Sequence, residues 1–513
     1  MTTHALHPPT GPRYVVPVLV LLAAMVVVLD GTGLNPLETA LVAGTGVTAV
    51  WWVVARRRLT SALRLCSLGV AGLALVVLVA EGPTSQLVPW QVLAGVVALS
   101  ALWRTRGPCT GRVGRVLHRA VLAVLLLACA AATQLAPVAS LPAPTGPFEV
   151  GSTVLTWADR SRREPLTAAA GDLRQVVAQA WYPTARTSGR TTRYVGAGGD
   201  TALMTDLPPG LFRRYDHTRV PAHDDVPVSP AQDRWPVLLF SPGLGMARQS
   251  YTALCTELAS RGYVVVAISH PYESPVTVLA DGHRAAPHRF DPSTPAGRAE
   301  VARLVDVRAA DSSFVLSRLE RLTTSPLAGH LDLAHVGILG HSLGGATAAR
   351  AMALDHRFRA GADLDGRLFG AVPSLDRPFL WVQSEASTET RRELGPTHRT
   401  RDELLERLRG GGALVTLAGT THLSFSDVSG YLTPVGRQLL GRLPAAGIGT
   451  AEAARTAATT ADLVTGVLGP VLHAPPAHTL AQVAARDTTV RVERTVEAAR
   501  QGKVSVTTVR RTR

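Results

Sequence analysis

Cysteine is scarce in this chain of 513 residues, which has four. Cys66 and Cys129 lie inside long apolar stretches and Cys109 between two of them. Cys255 is therefore the one thiol in everything beyond residue 136. A single thiol excludes an internal disulfide there and any multi-cysteine metal site, so that part of the chain must hold together by its core. Charged residues amount to 18 %, below the roughly 25 % of an ordinary soluble domain. Acidic residues fall short of basic ones, 38 against 52, giving a net charge of +14. Such an excess is also the footprint of nucleic-acid binding. Here, however, the arginines cluster beside apolar stretches, which gives the charge a topological meaning and leaves no nucleic-acid partner to invoke.

Five apolar stretches occupy residues 14–29, 37–55, 63–80, 87–103 and 116–136. Each is close to the ~17–25 residues a helix needs to cross about 30 Å of hydrocarbon. The four stretches behind the first argue against a signal peptide. After the second comes "RRR" (Arg56, Arg57, Arg58) with Arg64, and after the fourth come Arg104, Arg106, Arg112, Arg115 and Arg119. The segments after the first and third carry Asp30, Glu38 and Glu81, and no lysine or arginine. The positive-inside rule then places the N-terminus in the cytoplasm, and an odd number of spans carries the rest of the chain to the outer side of a cell membrane. The expected organisation is an all-α transmembrane domain at 1–136, a Pro- and Ala-rich linker at 137–149, a catalytic domain at 150–475, and a basic extension at 476–513. The end of that extension, from Arg491, shows no apolar face and reads as solvated chain.

Beyond the linker, short β-rich runs alternate with helical stretches, which argues for βα units and a mostly parallel sheet. Strands are expected near 153–157, 176–182, 236–240, 263–269, 336–339, 360–364, 379–383 and 413–418, and helices near 250–260, 296–323, 344–354, 399–409 and 451–468. Runs such as "VLLF" and "YVVVAIS" suit strands covered on both faces. The segment 184–234 is rich in Gly, Pro and Asp without periodicity, the composition of a lid or of a tolerated surface insertion.

One motif carries chemistry. "GHSLGG" has a strand before it and a helix after it, the context that a G-x-S-x-G nucleophile turn requires. This makes Ser342 the candidate nucleophile. Serine needs a base, and His422 ends an apolar strand late in the chain, where that base should follow. His341, His356, His398, His473 and His478 lie in less suitable places. The acid that orients the base is open at this level. Chain position slightly favours Glu385, after "PFLWVQ", over Asp365 or Asp363 in "GADLDG". Two backbone N–H groups should receive the developing oxyanion. One is that of Leu343, and the loop "FSPGLGMAR" offers Leu244 as the other.

These residues resemble a family. "GHSLGGATAARAMALDHRFRAGADLDG", "QAWYPTA", "LLFSPGLGMARQSYTALCTELASRGYVVVAISHPYES" and "GTTHLSFSD" are similar to segments of the plasma-type platelet-activating factor acetylhydrolases and their bacterial esterase and lipase relatives. The resemblance covers roughly residues 150–440 and leaves out the apolar stretches and the segment 184–234. It implies an α/β-hydrolase fold, with helices on both faces of a mostly parallel sheet. It also implies hydrolysis of short-acyl or phospholipid-like esters without metal or cofactor, with Asp365 as the acid and Leu244 and Leu343 as the oxyanion donors. The expected protein is a membrane-anchored serine ester hydrolase. An acyltransferase using the same triad on an envelope acceptor is the alternative. A non-catalytic membrane sensor is disfavoured, because the spans hold almost no ionisable residues of the kind that mark a transport path.

Overall fold

The computed structural model describes residues 34–54, 61–84, 86–103, 111–135, 141–169, 171–195, 218–275, 277–288, 294–389, 395–433, 436–438, 447–474, 478–500 and 503–508. The chain divides into two compact units, one built on the N-terminal helices and one containing most of the chain from Ser140 onward.

The first unit holds four helices: α1 (Pro36–Val54), α2 (Ser61–Glu81), α3 (Val88–Trp103) and α4 (Arg112–Leu135). Leu41, Trp52, Val77, Leu93, Val97 and Leu122 form its buried core. The indole N–H groups, which must find acceptors when buried, bond between helices: Trp52 Nε1 to Ser67 Oγ at 3.0 Å and Trp90 Nε1 to Thr133 Oγ1 at 2.7 Å. The outer faces are apolar as well. Leu65, Leu75, Val79, Leu99, Trp103, Leu117 and Leu127 are all exposed. Asn35 donates from Nδ2 to Glu81 Oε1, which brings the start of α1 and the end of α2 to one end of the bundle. Three of these helices are long and apolar enough to cross a membrane, and the 16-residue α3 is shorter. That is fewer than the five expected. The first expected span, 14–29, lies outside the described residues.

The second unit is a mixed sheet of twelve strands: β1 (Glu149–Arg163), β2 (Leu173–Thr184), β3 (Thr191–Arg193), β4 (Arg219–Asp224), β5 (Trp235–Ser241), β6 (Val264–Ser269), β9 (Leu331–His341), β10 (Phe358–Leu364), β11 (Phe379–Ser384), β12 (Gly412–Leu417), β13 (Val490–Arg500) and β14 (Lys503–Thr508). A separate two-stranded ribbon pairs β7 (Thr277–Val278) with β8 (Arg284–Ala285). The order across the sheet is β14-β13-β12-β11-β10-β9-β5-β6-β2-β1-β4-β3. The six central strands, β12 to β6, are parallel, and β2 and β13 join them antiparallel. Every residue of β5 and β6 is buried, as the continuous apolar runs require. Helices α6 (Pro295–Leu319) and α7 (Leu343–Leu354) cover one face through Val301, Val305, Leu316 and Ala348 against Val237, Leu239 and Val266. On the other face lie α5 (Thr252–Ser260) and α10 (Ala453–Leu472), numbered after α8 (Glu385–Glu389) and α9 (Gly395–Glu406).

Two expectations change. The linker is already structured from Thr145, whose N–H bonds Glu257, and Phe148 stacks edge-on against Trp235 at 5.0 Å. Val490–Arg500 and Lys503–Thr508 are strands, where solvated chain was expected from Arg491. Val490 and Val496 are both buried while Arg491 is exposed. A register shift between Val492 and Arg494, opposite Val415 and Leu414, breaks the alternation between the two valines, so no continuous period-two pattern announces the strand in the sequence.

Candidate active site

Strand β9 runs straight into Ser342, and α7 begins at the next residue. Ser342 has φ 56 and ψ −121, a strained backbone for a non-glycine residue and the turn that lifts a nucleophile clear of the sheet. The flanking glycines are required by contact. A Cβ on Gly340 would lie 2.3 Å from Gly344 backbone, and one on Gly344 only 1.8 Å from the Ser241 carbonyl oxygen at the end of β5. The elbow is fixed from the other side by the Ser342 N–H, which donates to Leu364 O at 2.9 Å.

His422 opens a short 3-10 turn after β12. Its Nε2 accepts from Ser342 Oγ at 2.9 Å, and its Nδ1 donates to Asp365 Oδ2 at 2.9 Å. The His422 side chain is 49 % exposed and that of Asp365 1 %, so the imidazole faces solvent while the carboxylate bonded to it is sealed. Asp365 has φ 55, and its N–H donates to Val382 O, which turns the residue off the end of β10. Its Oδ1 accepts from Ser384 N–H at 2.7 Å and its Oδ2 from Ser384 Oγ at 3.0 Å. Burial alone would raise this carboxyl. The bond and charge of His422, with the Ser384 N–H, outweigh it and hold Asp365 below the usual carboxylate range.

The competing acids are placed elsewhere. Asp363 is buried beneath the start of α7, where a Cβ on Gly345 would meet its Oδ1 at 2.0 Å. Its Oδ1 accepts from Gly366 N–H at 2.6 Å, and burial pushes the carboxyl well up. Glu385 accepts from Gly419 N–H at 2.8 Å and pairs with Arg491 at 2.8 Å, bracing the loop that carries His422. Among the other histidines, His356 is exposed, His473 packs on His335, and His478 lines a cleft beside Arg261 and Arg486. The side chain of His398 lies outside the described residues.

Leu343 is the first residue of α7, so its N–H has no intrahelical acceptor. Leu244 sits at the first corner of a turn closed by Met246 N–H to Gly243 O at 3.2 Å, with Gly245 at φ 69. The Leu244 N–H takes no part in that turn bond and has no hydrogen-bond acceptor among the described residues.

A second Ser-His-Asp chain escaped the sequence reading. Ser241 Oγ lies 3.0 Å from His270 Nε2, and His270 Nδ1 donates to Asp311 Oδ2 at 2.9 Å. All three are buried, and Asp311 is also held by Arg174 at 2.6 Å. Arg308, paired with Glu273, donates to Pro242 O at 2.7 Å. This network pins the end of β5, where the Leu244 turn begins. Residues far apart in sequence make it, and no local motif announces it. No group of three or more metal-ligating side chains occurs among the described residues.

With this geometry in hand, comparison with known proteins is informative. The family model for platelet-activating factor acetylhydrolase, isoform II, matches residues 135–288 and 305–446. Those segments contain Leu244, Ser342, Leu343, Asp365 and His422. A probable 1-alkyl-2-acetylglycerophosphocholine esterase of Arthroderma benhamiae is 29 % identical over 40 % of this chain and 52 % of its own length. The platelet-activating factor acetylhydrolase of Gallus gallus is 24 % identical over 56 % of this chain and 74 % of its own, and that of Cavia porcellus 27 % over 48 % and 61 %. This chain thus spans between about half and three-quarters of the length of these relatives. A ferulic acid esterase structure from Streptomyces cinnamoneus superposes with a TM-score of 0.54 at 26 % identity, covering 69 % of this chain and 99 % of that one. The chain is an α/β-hydrolase and belongs to the platelet-activating factor acetylhydrolase isoform II family of carboxylic-ester hydrolases.

Proposed function

We propose that this protein is a membrane-anchored serine carboxylic-ester hydrolase acting on short-acyl or lipid esters. The observation that carries the reading is the bonded chain Ser342–His422–Asp365 at a strained, accessible turn. Ser342 Oγ attacks the ester carbonyl as His422 Nε2 takes its proton. The tetrahedral oxyanion is received by the N–H groups of Leu244 and Leu343. His422 then protonates the departing alcohol, leaving an acyl-Ser342 ester. Water, deprotonated by His422, releases the acid and restores Ser342. Asp365 keeps the Nδ1–H tautomer in place and stabilises the imidazolium in both halves. The half-exposed imidazole supports water as the acceptor over an acyltransfer partner, since bulk water reaches the base directly.

Anchoring is supported by the exposed apolar faces of α1 to α4, which hydrocarbon would cover. The Arg-rich loops support an outer-side location for the hydrolase unit, taken to run from near 150 to near 475. The decisive assay is hydrolysis of p-nitrophenyl esters of increasing chain length by the full chain in detergent, beside Ser342→Ala. Activity is expected to vanish in the variant; an unchanged rate would sink the assignment. For sidedness, protease added to intact cells should remove the hydrolase unit, and an impermeant maleimide should reach Cys109 only after lysis. The reverse pattern would invert the topology.

A further inference from the structure

His341 precedes the nucleophile, yet its ring turns inward and is buried. Its Nε2 lies 2.8 Å from the carbonyl oxygen of His422, and its Nδ1 2.8 Å from Tyr251 Oη. Tyr251 Oη in turn lies 3.0 Å from the N–H of Gly243, the residue before Leu244. The chemistry allows one direction for this chain when the ring is neutral. A carbonyl only accepts, so His341 Nε2 carries the hydrogen and Nδ1 is an acceptor. Tyr251 O–H therefore donates to Nδ1, and its oxygen accepts from Gly243 N–H. Burial, then the neighbouring His422, push His341 down to about 3, which favours the neutral ring. The fit is close, since a Cβ on Gly243 would come within 3.1 Å of Tyr251 Oη and 3.2 Å of His341 Nδ1. Three pieces from distant parts of the chain thus meet on two side chains: the loop of Leu244, the strand delivering Ser342, and the backbone of His422.

We propose that Tyr251 and His341 form a buried relay that sets the oxyanion loop and the base in register with Ser342, making both of them positioning residues for ester hydrolysis. This rests on the assignment of Ser342, His422 and Asp365 above. The relay moves no proton during turnover. Its bonds hold the Leu244 N–H and the His422 ring at the separation that the tetrahedral intermediate needs.

The test uses the full chain in detergent. An organophosphate ester that releases one p-nitrophenol per phosphorylated serine counts working sites, so rates are expressed per site and misfolded protein drops out. Tyr251→Phe removes the central hydroxyl. His341→Gln keeps an amide N–H where Nε2 was but loses the acceptor facing Tyr251, and His341→Asn does the opposite. Each is expected to lower kcat per site about tenfold to a hundredfold, with KM within about twofold. Affinity for a trifluoromethyl ketone, whose adduct carries the oxyanion, should fall in proportion to kcat/KM. The double variant Tyr251→Phe/His341→Gln should be no slower than its slower parent, because one chain is cut once or twice. Unchanged kcat per site in Tyr251→Phe and His341→Gln, even with lowered melting temperatures, would overturn the relay and leave a packing role. So would losses that multiply in the double variant. Persistent activity in Ser342→Ala would instead overturn the underlying assignment, so the two failures are told apart.

Discussion

Gly344→Ala probes the elbow most directly. The added methyl would sit 1.8 Å from the Ser241 carbonyl oxygen, whereas real Cβ contacts essentially never fall below 3.0 Å. The helix start and the end of β5 must therefore separate by at least about 1.2 Å, the difference between those distances. Both partners are backbone, so no rotamer change relieves the clash. Ser241 is followed by Pro242, Gly243 and Leu244, and Gly344 follows Leu343, so the forced opening widens the gap between the two proposed oxyanion donors. A displacement near 1 Å costs about a hundredfold in rate, and overpacking a well-filled site costs roughly 1–3 kcal/mol of stability. The expected result is a folded enzyme with a melting temperature lower by several degrees and kcat down about a hundredfold. Gly171→Ala, at a position with no heavy atom within 4 Å of the added carbon, is the matched control and should change neither. Wild-type kcat and melting temperature in Gly344→Ala would refute the claim that the elbow and β5 are in rigid contact.

Other consequences follow from the same coordinates. Asp365→Asn should lower kcat about a thousandfold to ten-thousandfold, because the imidazole loses its tautomer. Asp363→Asn should change it less than tenfold, since burial already opposes the charged form of that carboxyl and an amide Oδ1 can still accept from Gly366 N–H. Equal losses in the two would mean that the acid is misassigned. Asp427 accepts from Tyr194 Oη, Thr252 N–H and Ala253 N–H, yet burial raises it to about 7. The unfolded chain ionises this group near pH ~4, so the folded state binds the extra proton between there and pH 7. Stability contributed by Asp427 should therefore fall as pH rises through that window and level off above it. The melting-temperature difference between Asp427→Asn and wild type should grow in favour of the variant from pH 4 to 7, and a flat difference would contradict the raised value.

Much of this arrangement was legible in the sequence because it is local. Runs such as "VVVAIS" and "VLLF" declare buried parallel strands, and "GHSLGG" between strand and helix declares an elbow. His422 could be read because it ends the last apolar parallel strand. Asp365 could not be separated from Glu385 by position. The choice depends on which carboxylate the neighbouring strand turns toward the imidazole, and resemblance to a family supplied it. The structure adds the physical reason: Ser384 N–H fixes Asp365 from the next strand, while Glu385 is drawn off by Gly419 and Arg491. Strands β13 and β14 escaped because arginines and glutamates interrupt the valines of β13, a register shift breaks its alternation, and β14 is a short, mostly polar edge strand.

The paired Ser-His-Asp chains show what turns such a constellation into a site. Ser241–His270–Asp311 and Ser342–His422–Asp365 share connectivity and distances within 0.1 Å of each other. They differ in what surrounds them. His270 is sealed, and burial, with Arg308 nearby, holds it below its ordinary value, so an imidazolium there is opposed. Asp311 is held by Arg174 as well, its charge shared before any proton moves. The carboxylate facing His422 bonds Ser384 but pairs with no arginine among the described residues, and His422 has solvent on its other side. Ser241 is the last residue of a regular strand, and Ser342 sits on a strained turn beside a helix start. Access, a carboxylate with no arginine on it among the described residues, and a nearby pair of N–H groups without a turn or helix acceptor separate a candidate catalyst from a structural brace. The brace in turn holds the end of β5, whose position the candidate catalyst requires.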